Sequence, residues 1–384
     1  MALGLRDIPE KTYGAASGVS TSDRDGSRHG KSWAGWLVSD DPPGRLLLNV
    51  IMLVVLAVFV FAPFLFPGTK ALGVASRICI FVILVASYDL MLGYTGIVSF
   101  AHTMFFGIGA YGVAILLAKA WVGWGAVIVG AAAGVAVSLV VAVAIGLLSL
   151  RVRAIFFSMI TLAVASFALI LAEQWRDLTG GEDGLTFSVP AILKPGFRLF
   201  ADPVLGVTFN GRVITYYLIF IVSLVLFLLM LRIVNSPFGR VLQAIRENEF
   251  RVEAMGYQVV AYRTIVSALS AVMAALAGAL MALLLGYNGP DATLSFSLMI
   301  DILLMIVIGG VGTMYGAVIG AVLVVLAEYY LQNILGAVHG VLADVPVISA
   351  LFHPDRWLLW LGVLFVLIVT FFPQGIFGWL RHRR

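Results

Sequence analysis

Few side chains in this chain are of a type and setting to do chemistry. Asp301 stands inside a short apolar run. A carboxylate there is expensive to bury and marks a binding or transport site by default, although a helix N-terminus with access to water would also accommodate it. His102 opens another short run, where it is placed either to hydrogen-bond a solute or to hold a re-entrant turn. Asp89 and Glu328 fall nearer the ends of their runs and read as structural. Thr179-Gly180-Gly181-Glu182-Asp183-Gly184 sets two carboxylates among glycines. A calcium loop needs more oxygen ligands at set spacing and a closing Glu, so a turn on the surface fits better. The one cysteine, Cys79, lies in an apolar stretch, which leaves neither a disulfide nor a thiolate metal site. Gly30-Lys31-Ser32 resembles the end of a phosphate-binding loop. However, Asp25 holds the position of its first glycine, Gly26 is one residue too close, and no strand precedes it. No catalytic array, metal site or nucleotide site is expected.

What must position these groups is a membrane-embedded frame. Of 384 residues, 61% are hydrophobic and 11% charged, less than half the charged share of about 25% usual in soluble domains. A bilayer span needs about 20 mostly apolar residues, and about ten such runs occur. They cover roughly 46–66 (ending at Pro67-Gly68), 71–92, 104–118, 124–150, 154–175, 214–231, 264–285, 297–311, 315–335 and 357–372. Residues 1–44 are polar, too hydrophilic for a signal peptide, and read as a disordered tail. Residues 379–384 form a basic one. The net charge of +4 reads as loop asymmetry rather than nucleic-acid binding.

Lys and Arg set the orientation, since positive loops stay inside. With both termini cytoplasmic, 16 of them fall on that side and 8 on the other. Arg77 is among the 8, within its span, from where a long side chain can snorkel outward. Residues 176–213 are then a periplasmic loop and 235–262 a cytoplasmic one.

The second run ends in Gly93-Tyr94-Thr95-Gly96, followed by Ser99-Phe100 and a short run closing on Gly107-Ile108-Gly109. The seventh ends in Gly286-Tyr287-Asn288-Gly289, followed by Ser295-Phe296 and a short run closing on Gly309-Gly310-Val311-Gly312. Five spans per unit is odd, so the second unit is inverted. Paired short, Gly-interrupted segments point to a transport site, although glycines also recur for helix packing alone. The expected fold is an all-α polytopic membrane protein of two inverted five-helix repeats. Gly93, Tyr94, Gly96, Ser99, His102, Asp301, Gly309, Gly310 and Gly312 are the candidates for lining a path.

In the 235–262 loop, Phe238, Leu242 and Ile245 share one helical face, with Arg240, Glu247 and Arg251 on others. Pro237 suits the first turn of a helix and Gly256 the end of a second. Phe250 and Met255 are apolar, while Arg246, Glu249, Arg251 and Glu253 bring charge. Such a segment docks on a partner or lies at the lipid interface.

The run from Gly93 to Tyr111 resembles the signature of the permease subunits of branched-chain amino acid ABC transporters, the M-type subunit in particular. Arg151–Ala163, Thr179–Leu185, Ser236–Glu249 and Ile302–Gly312 continue the match in one order across roughly residues 45–378. Ala101 stands where the family usually has Gly, and Asp301 where Glu is common, which bears on the solute rather than the mechanism. The resemblance implies a bacterial inner-membrane importer subunit with four further features. A second permease subunit pairs with it. Two separate ATPase subunits carry ATP and Mg, so this chain needs no cofactor of its own. A periplasmic solute-binding protein meets Thr179, Gly180, Gly181, Asp183 and Gly184. The 235–262 loop, with Arg240, Arg246, Glu249, Glu253 and Gly256, serves as the coupling helix. Solutes of such systems include branched-chain amino acids, urea, amides and aromatic acids. A self-sufficient secondary transporter and a gated channel remain the competing readings.

Overall fold

The computed structural model describes residues 46–65, 68–149, 154–199, 208–341 and 352–372, with Gly375 and Gly378. Both expected tails, Pro67, Arg151–Arg153 and the Gly30-Lys31-Ser32 segment fall outside the described residues. In order the helices are α1 (Leu46–Val60), α2 (Ala62–Leu65), α3 (Thr69–Thr95), α4 (His102–Lys119), α5 (Trp124–Ser149), α6 (Ala154–Gln174) and α7 (Arg176–Thr179). Then come α8 (Gly211–Val234), α9 (Pro237–Glu247), α10 (Glu249–Ala254), α11 (Val259–Leu285), α12 (Pro290–Thr293), α13 (Phe296–Gly309), α14 (Met314–Val341) and α15 (Trp357–Phe371). Two short strands, β1 (Leu185–Thr186) and β2 (Tyr287–Asn288), pair antiparallel. Among the described residues, 9 helices are long and apolar enough to cross a membrane. The expected first span is divided between α1 and α2 at Phe61.

The two units share a plan. Both α3 and α11 have 27 residues, and each ends on a left-handed glycine, Gly96 (φ 73°) and Gly286 (φ 63°). Glycine takes that conformation without the Cβ penalty other residues meet. The structural counterparts are therefore Gly96 and Gly286, not Gly93 and Gly286 as the repeated tetrapeptide suggested. Each long helix is followed by a shorter one, α4 or α13, then another long one, α5 or α14.

The units are interlocked. The helix α11 packs on α4 and α5 of the first unit, while α3 packs on α13 and α14 of the second, and α8 closes the far side of α3. Consequently α3 and α11 form the centre, each 72% buried along its apolar window, against 22% for α6 and 6% for α15. The outer helices turn apolar residues such as Ile155, Phe156, Phe167, Leu358 and Phe371 outward, as lipid contact requires.

Lipid tails are as apolar as Leu, so burial alone does not hold such helices together; close packing and polar contacts do. Small residues provide the approach. A Cβ at Gly109 would strike the Ala275 backbone, and one at Gly278 the Phe106 carbonyl. Gly112 meets Gly130 and Gly134 across α4 and α5. In the second unit Gly309 meets the Gly316 carbonyl, and Gly320 that of Met305.

Candidate functional site

Three clusters bring the candidate residues together, the first where the broken segments of the two units meet. The chain leaves α3 at Gly96 and crosses to α4 in an irregular stretch. Ser99 Oγ accepts from Ala101 N (3.2 Å) and tightens that turn. From α6, Ser158 Oγ donates to Val98 O (3.0 Å), and Thr161 Oγ1 accepts from Phe100 N (3.1 Å). Irregular backbone at membrane depth has to be satisfied in this way by neighbouring groups. The break between α13 and α14, Gly310 to Thr313, lies directly against the last turn of α3. Gly312 N donates to Asp89 Oδ1 (2.8 Å), and Gly312 takes φ 83°. Gly93 sits in this contact with no room for a side chain, since a Cβ there would meet Asp89 and the Gly312 backbone.

Arg246 completes the junction. It comes from α9, and its guanidinium donates to the Gly93 carbonyl beside Gly312. Nothing local in the sequence points Arg246 inward; the signal that it is special came only from the motif around it. The helix that carries it is well specified. Ser236 caps α9 by accepting from Gly239 N (3.4 Å), with Pro237 in the first turn. Leu242 and Ile245 are buried, and Phe238 stacks on Tyr262 at 5.5 Å. Asn248 then caps α10 by accepting from Arg251 N (3.0 Å). Glu249 forms a two-pronged ion pair with Arg263 of α11 (2.7 and 2.9 Å), which fastens α10 to the central helix. Beyond these anchors, Phe250 is 84% exposed and Met255 60%. They flank exposed Arg251 and Glu253, and Gly256 (φ 88°) turns the chain back into α11.

Three of the other path candidates are buried. His102 is buried, its Nε2 within 2.9 Å of Ser87 Oγ and 3.2 Å of Leu84 O, with the Tyr88 ring beside it. Tyr94 and Ser99 are buried as well. The His102 contacts tie the start of α4 back to α3.

The second cluster lies within the apolar helices. Arg77 of α3 donates to Tyr329 Oη (3.1 Å), faces Glu328 of α14 at 3.9 Å, and lies over the Phe81 and Tyr329 rings. It is held there rather than snorkelling outward. Glu328 stands halfway along α14, which runs on to Val341, so it is not near a helix end as its apolar run suggested. Asp301, half-buried on α13, is the third charge of this group and within electrostatic reach of both. It therefore sits apart from the glycine junction with which its short span had associated it.

The third cluster is on the opposite side from α9. Leu185 and Thr186 pair with Asn288 and Tyr287, and Phe187 N donates to Gly286 O (3.1 Å). This stitches the 176–199 segment to the second glycine break. Thr179 and Gly181 are buried, Thr179 Oγ1 donating to Ala172 O (2.5 Å) and accepting from Gly181 N (3.2 Å). Gly180, Gly181 and Gly184 all have positive φ, and Gly184 packs on Asn288 and Gly289. These residues fold the turn inward; between Thr179 and Gly184 only Glu182 and Asp183 are exposed. Among the described residues no group of His, Cys, Asp and Glu is arranged to hold a metal ion.

Residues 70–377 match the family model described as branched-chain amino acid transport system / permease component. The chain is 25% identical over 346 residues to the high-affinity branched-chain amino acid transport system permease protein LivM of Salmonella typhimurium, covering 85% of this chain and 74% of that protein. It is 25% identical to LivM of Escherichia coli over 87% of this chain and 76% of that one. Against BraD of Pseudomonas aeruginosa, the permease protein of another such system, it is 27% identical over 78% of this chain and 91% of the relative. No solved structure matches. The chain is a multi-pass membrane protein and belongs to the family of branched-chain amino acid transport permeases, as an M-type subunit.

Proposed function

We propose that this chain is one of two pore-forming permease subunits of an ATP-driven importer for branched-chain amino acids or related small solutes such as urea, amides or aromatic acids. The observation that carries the reading is the reach of Arg246 from α9 to the Gly93–Gly312 junction. The α9–α10 segment, whose outer side presents Phe250 and Met255, is thereby joined, through one side chain of α9, to the point where both broken segments touch. Separate ATPase subunits carry ATP and Mg and grip the exposed residues of α10. Their motion then reaches the junction through α9. The α9–α10 side is cytoplasmic, as are both termini, in a bacterial inner membrane. The β1–β2 side is periplasmic and meets a solute-binding protein through Glu182 and Asp183. A second permease subunit supplies the other half of the path.

The test is substrate-stimulated ATP hydrolysis and solute uptake by the complex reconstituted with its binding protein. Glu253→Lys and Phe250→Ala should leave basal hydrolysis intact and abolish both stimulation and uptake. Unchanged stimulation and uptake in both variants would remove α10 as the coupling element. Uptake by this chain alone, driven by an ion gradient, would instead establish a secondary transporter, and passive flux a channel.

A further inference from the structure

Resting on the importer reading, we infer that Arg77, Asp301 and Glu328 form a water-lined wall of the translocation path. That wall receives the charged head of a zwitterionic amino acid, the ammonium at Asp301 and Glu328 and the carboxylate at Arg77.

Depth is the first argument. Arg77 lies two turns inside α3, about 12 Å from its start at 1.5 Å per residue, and Glu328 stands halfway along α14. Ionisable residues at such depth face a bundle interior, a water-filled cavity or a partner, not lipid. Yet none of the three is sealed within this chain: the Arg77 side chain is 31% exposed and that of Glu328 14%, and Asp301 is half-buried. The face they share, with Tyr329 and Tyr330 exposed beside them, therefore looks onto water or a partner subunit.

The second argument is valence. Arg77 has Tyr329 and a long contact to Glu328, but its Nε–H is buried without a hydrogen-bond partner. Asp301, among the described residues, makes neither a hydrogen bond nor an ion pair. One orphan donor on a cation and one orphan carboxylate lie on the same face, with three charges summing to one excess negative. A zwitterion presents the complementary pair, because its carboxylate accepts from a guanidinium and its ammonium donates to carboxylates. A neutral amide or urea would leave Asp301 without a cationic partner.

The experiment uses the reconstituted complex with its binding protein, in a Cys79→Ala background that removes the single cysteine. Ser297→Cys places a thiol one turn from Asp301, at an exposed position. A membrane-impermeant cationic thiosulfonate should label it. Leucine at millimolar concentration should slow the labelling severalfold, whereas 4-methylpentanoate, which lacks the ammonium, should not. In transport, Asp301→Asn should raise the KM for leucine at least tenfold with basal ATP hydrolysis preserved, and Glu328→Gln should do so more weakly. Absence of labelling, or equal protection by 4-methylpentanoate, would overturn the inference. So would an Asp301→Asn variant with the wild-type KM. Should the wild-type complex show no ATP-driven uptake, the importer reading falls, and the labelling and its protection still decide the site independently.

Discussion

Replacing Gly93 by Ala tests whether contact between the two broken segments is what this fold is built to make. Gly93 has ordinary helical geometry, so Ala carries no backbone penalty there and the whole effect is steric. An added Cβ would stand 2.5 Å from Gly312 N and 2.6 Å from Gly312 Cα, against ordinary contacts of 3.4–4 Å. Both are backbone atoms and cannot rotate away, so the segments must part by about 1 Å to restore normal separation. The Gly312 N–Asp89 bond, 2.8 Å now, then passes the limit of hydrogen bonding. Loss of a bond to a charged group costs about 1.5–3 kcal/mol, and overpacking about 1–3 kcal/mol. Together they disfavour the joined state by on the order of 3 kcal/mol, roughly a hundredfold in its equilibrium. The reconstituted complex should therefore insert and bind its ATPase, yet lose at least nine-tenths of ATP-driven uptake and melt at lower temperature. Gly362→Ala on α15, where nothing lies within 4 Å, is the control and should behave as wild type. Wild-type uptake and melting in Gly93→Ala would refute the reasoning, because the junction would then tolerate separation.

Gly256 has φ 88° and open space around it, so substitution costs only backbone strain, about 1–2 kcal/mol for most residues. Gly256→Val should weaken substrate stimulation of ATP hydrolysis and Gly256→Asn should nearly preserve it; equal effects would discount the conformation. Arg263→Lys keeps the charge but loses the fork to Glu249, a partly exposed pair worth about 1 kcal/mol, so limited proteolysis should cut the α9–α10 segment faster than in wild type. In the cysteine-free background, Lys194→Cys and Phe250→Cys should react with impermeant reagents from opposite sides of the membrane, Lys194→Cys from the periplasm; labelling from one common side would overturn the topology.

Much of the frame was legible because its determinants are local. Apolar runs, Pro237 and the glycine ends of α3 and α11 each act within a few residues of where they stand. The span limits were less legible, since Val259–Arg263 continue α11 despite their mixed character, and α14 runs past Leu335. What the sequence concealed are contacts between distant positions. Arg77 and Tyr329 lie 252 residues apart, with Glu328 next to Tyr329, and no periodicity announces their pairing. Arg246 looked like one surface charge among several, because its direction depends on where α3 ends. Thr179 and Gly181 looked outward-facing by composition, yet their turn folds under to meet β2. A repeated Gly-Tyr motif located both breaks but misaligned them, because only φ distinguishes the capping glycine.

The interlocking of the units bears on how the chain is made. When α3 leaves the ribosome, the helices that cover it, α11, α13 and α14, have not been synthesised. Until they arrive, Arg77 lacks Tyr329 and Glu328, and Asp89 lacks the Gly312 N–H. Unsatisfied polar groups in hydrocarbon cost several kcal/mol, so α3 is a poor lodger in lipid by itself. The bundle is complete only once α11 packs on α4 and α5 and α14 covers α3. A chain that stops after α8 would leave Arg77 and Asp89 on α3 without the partners that the second half supplies.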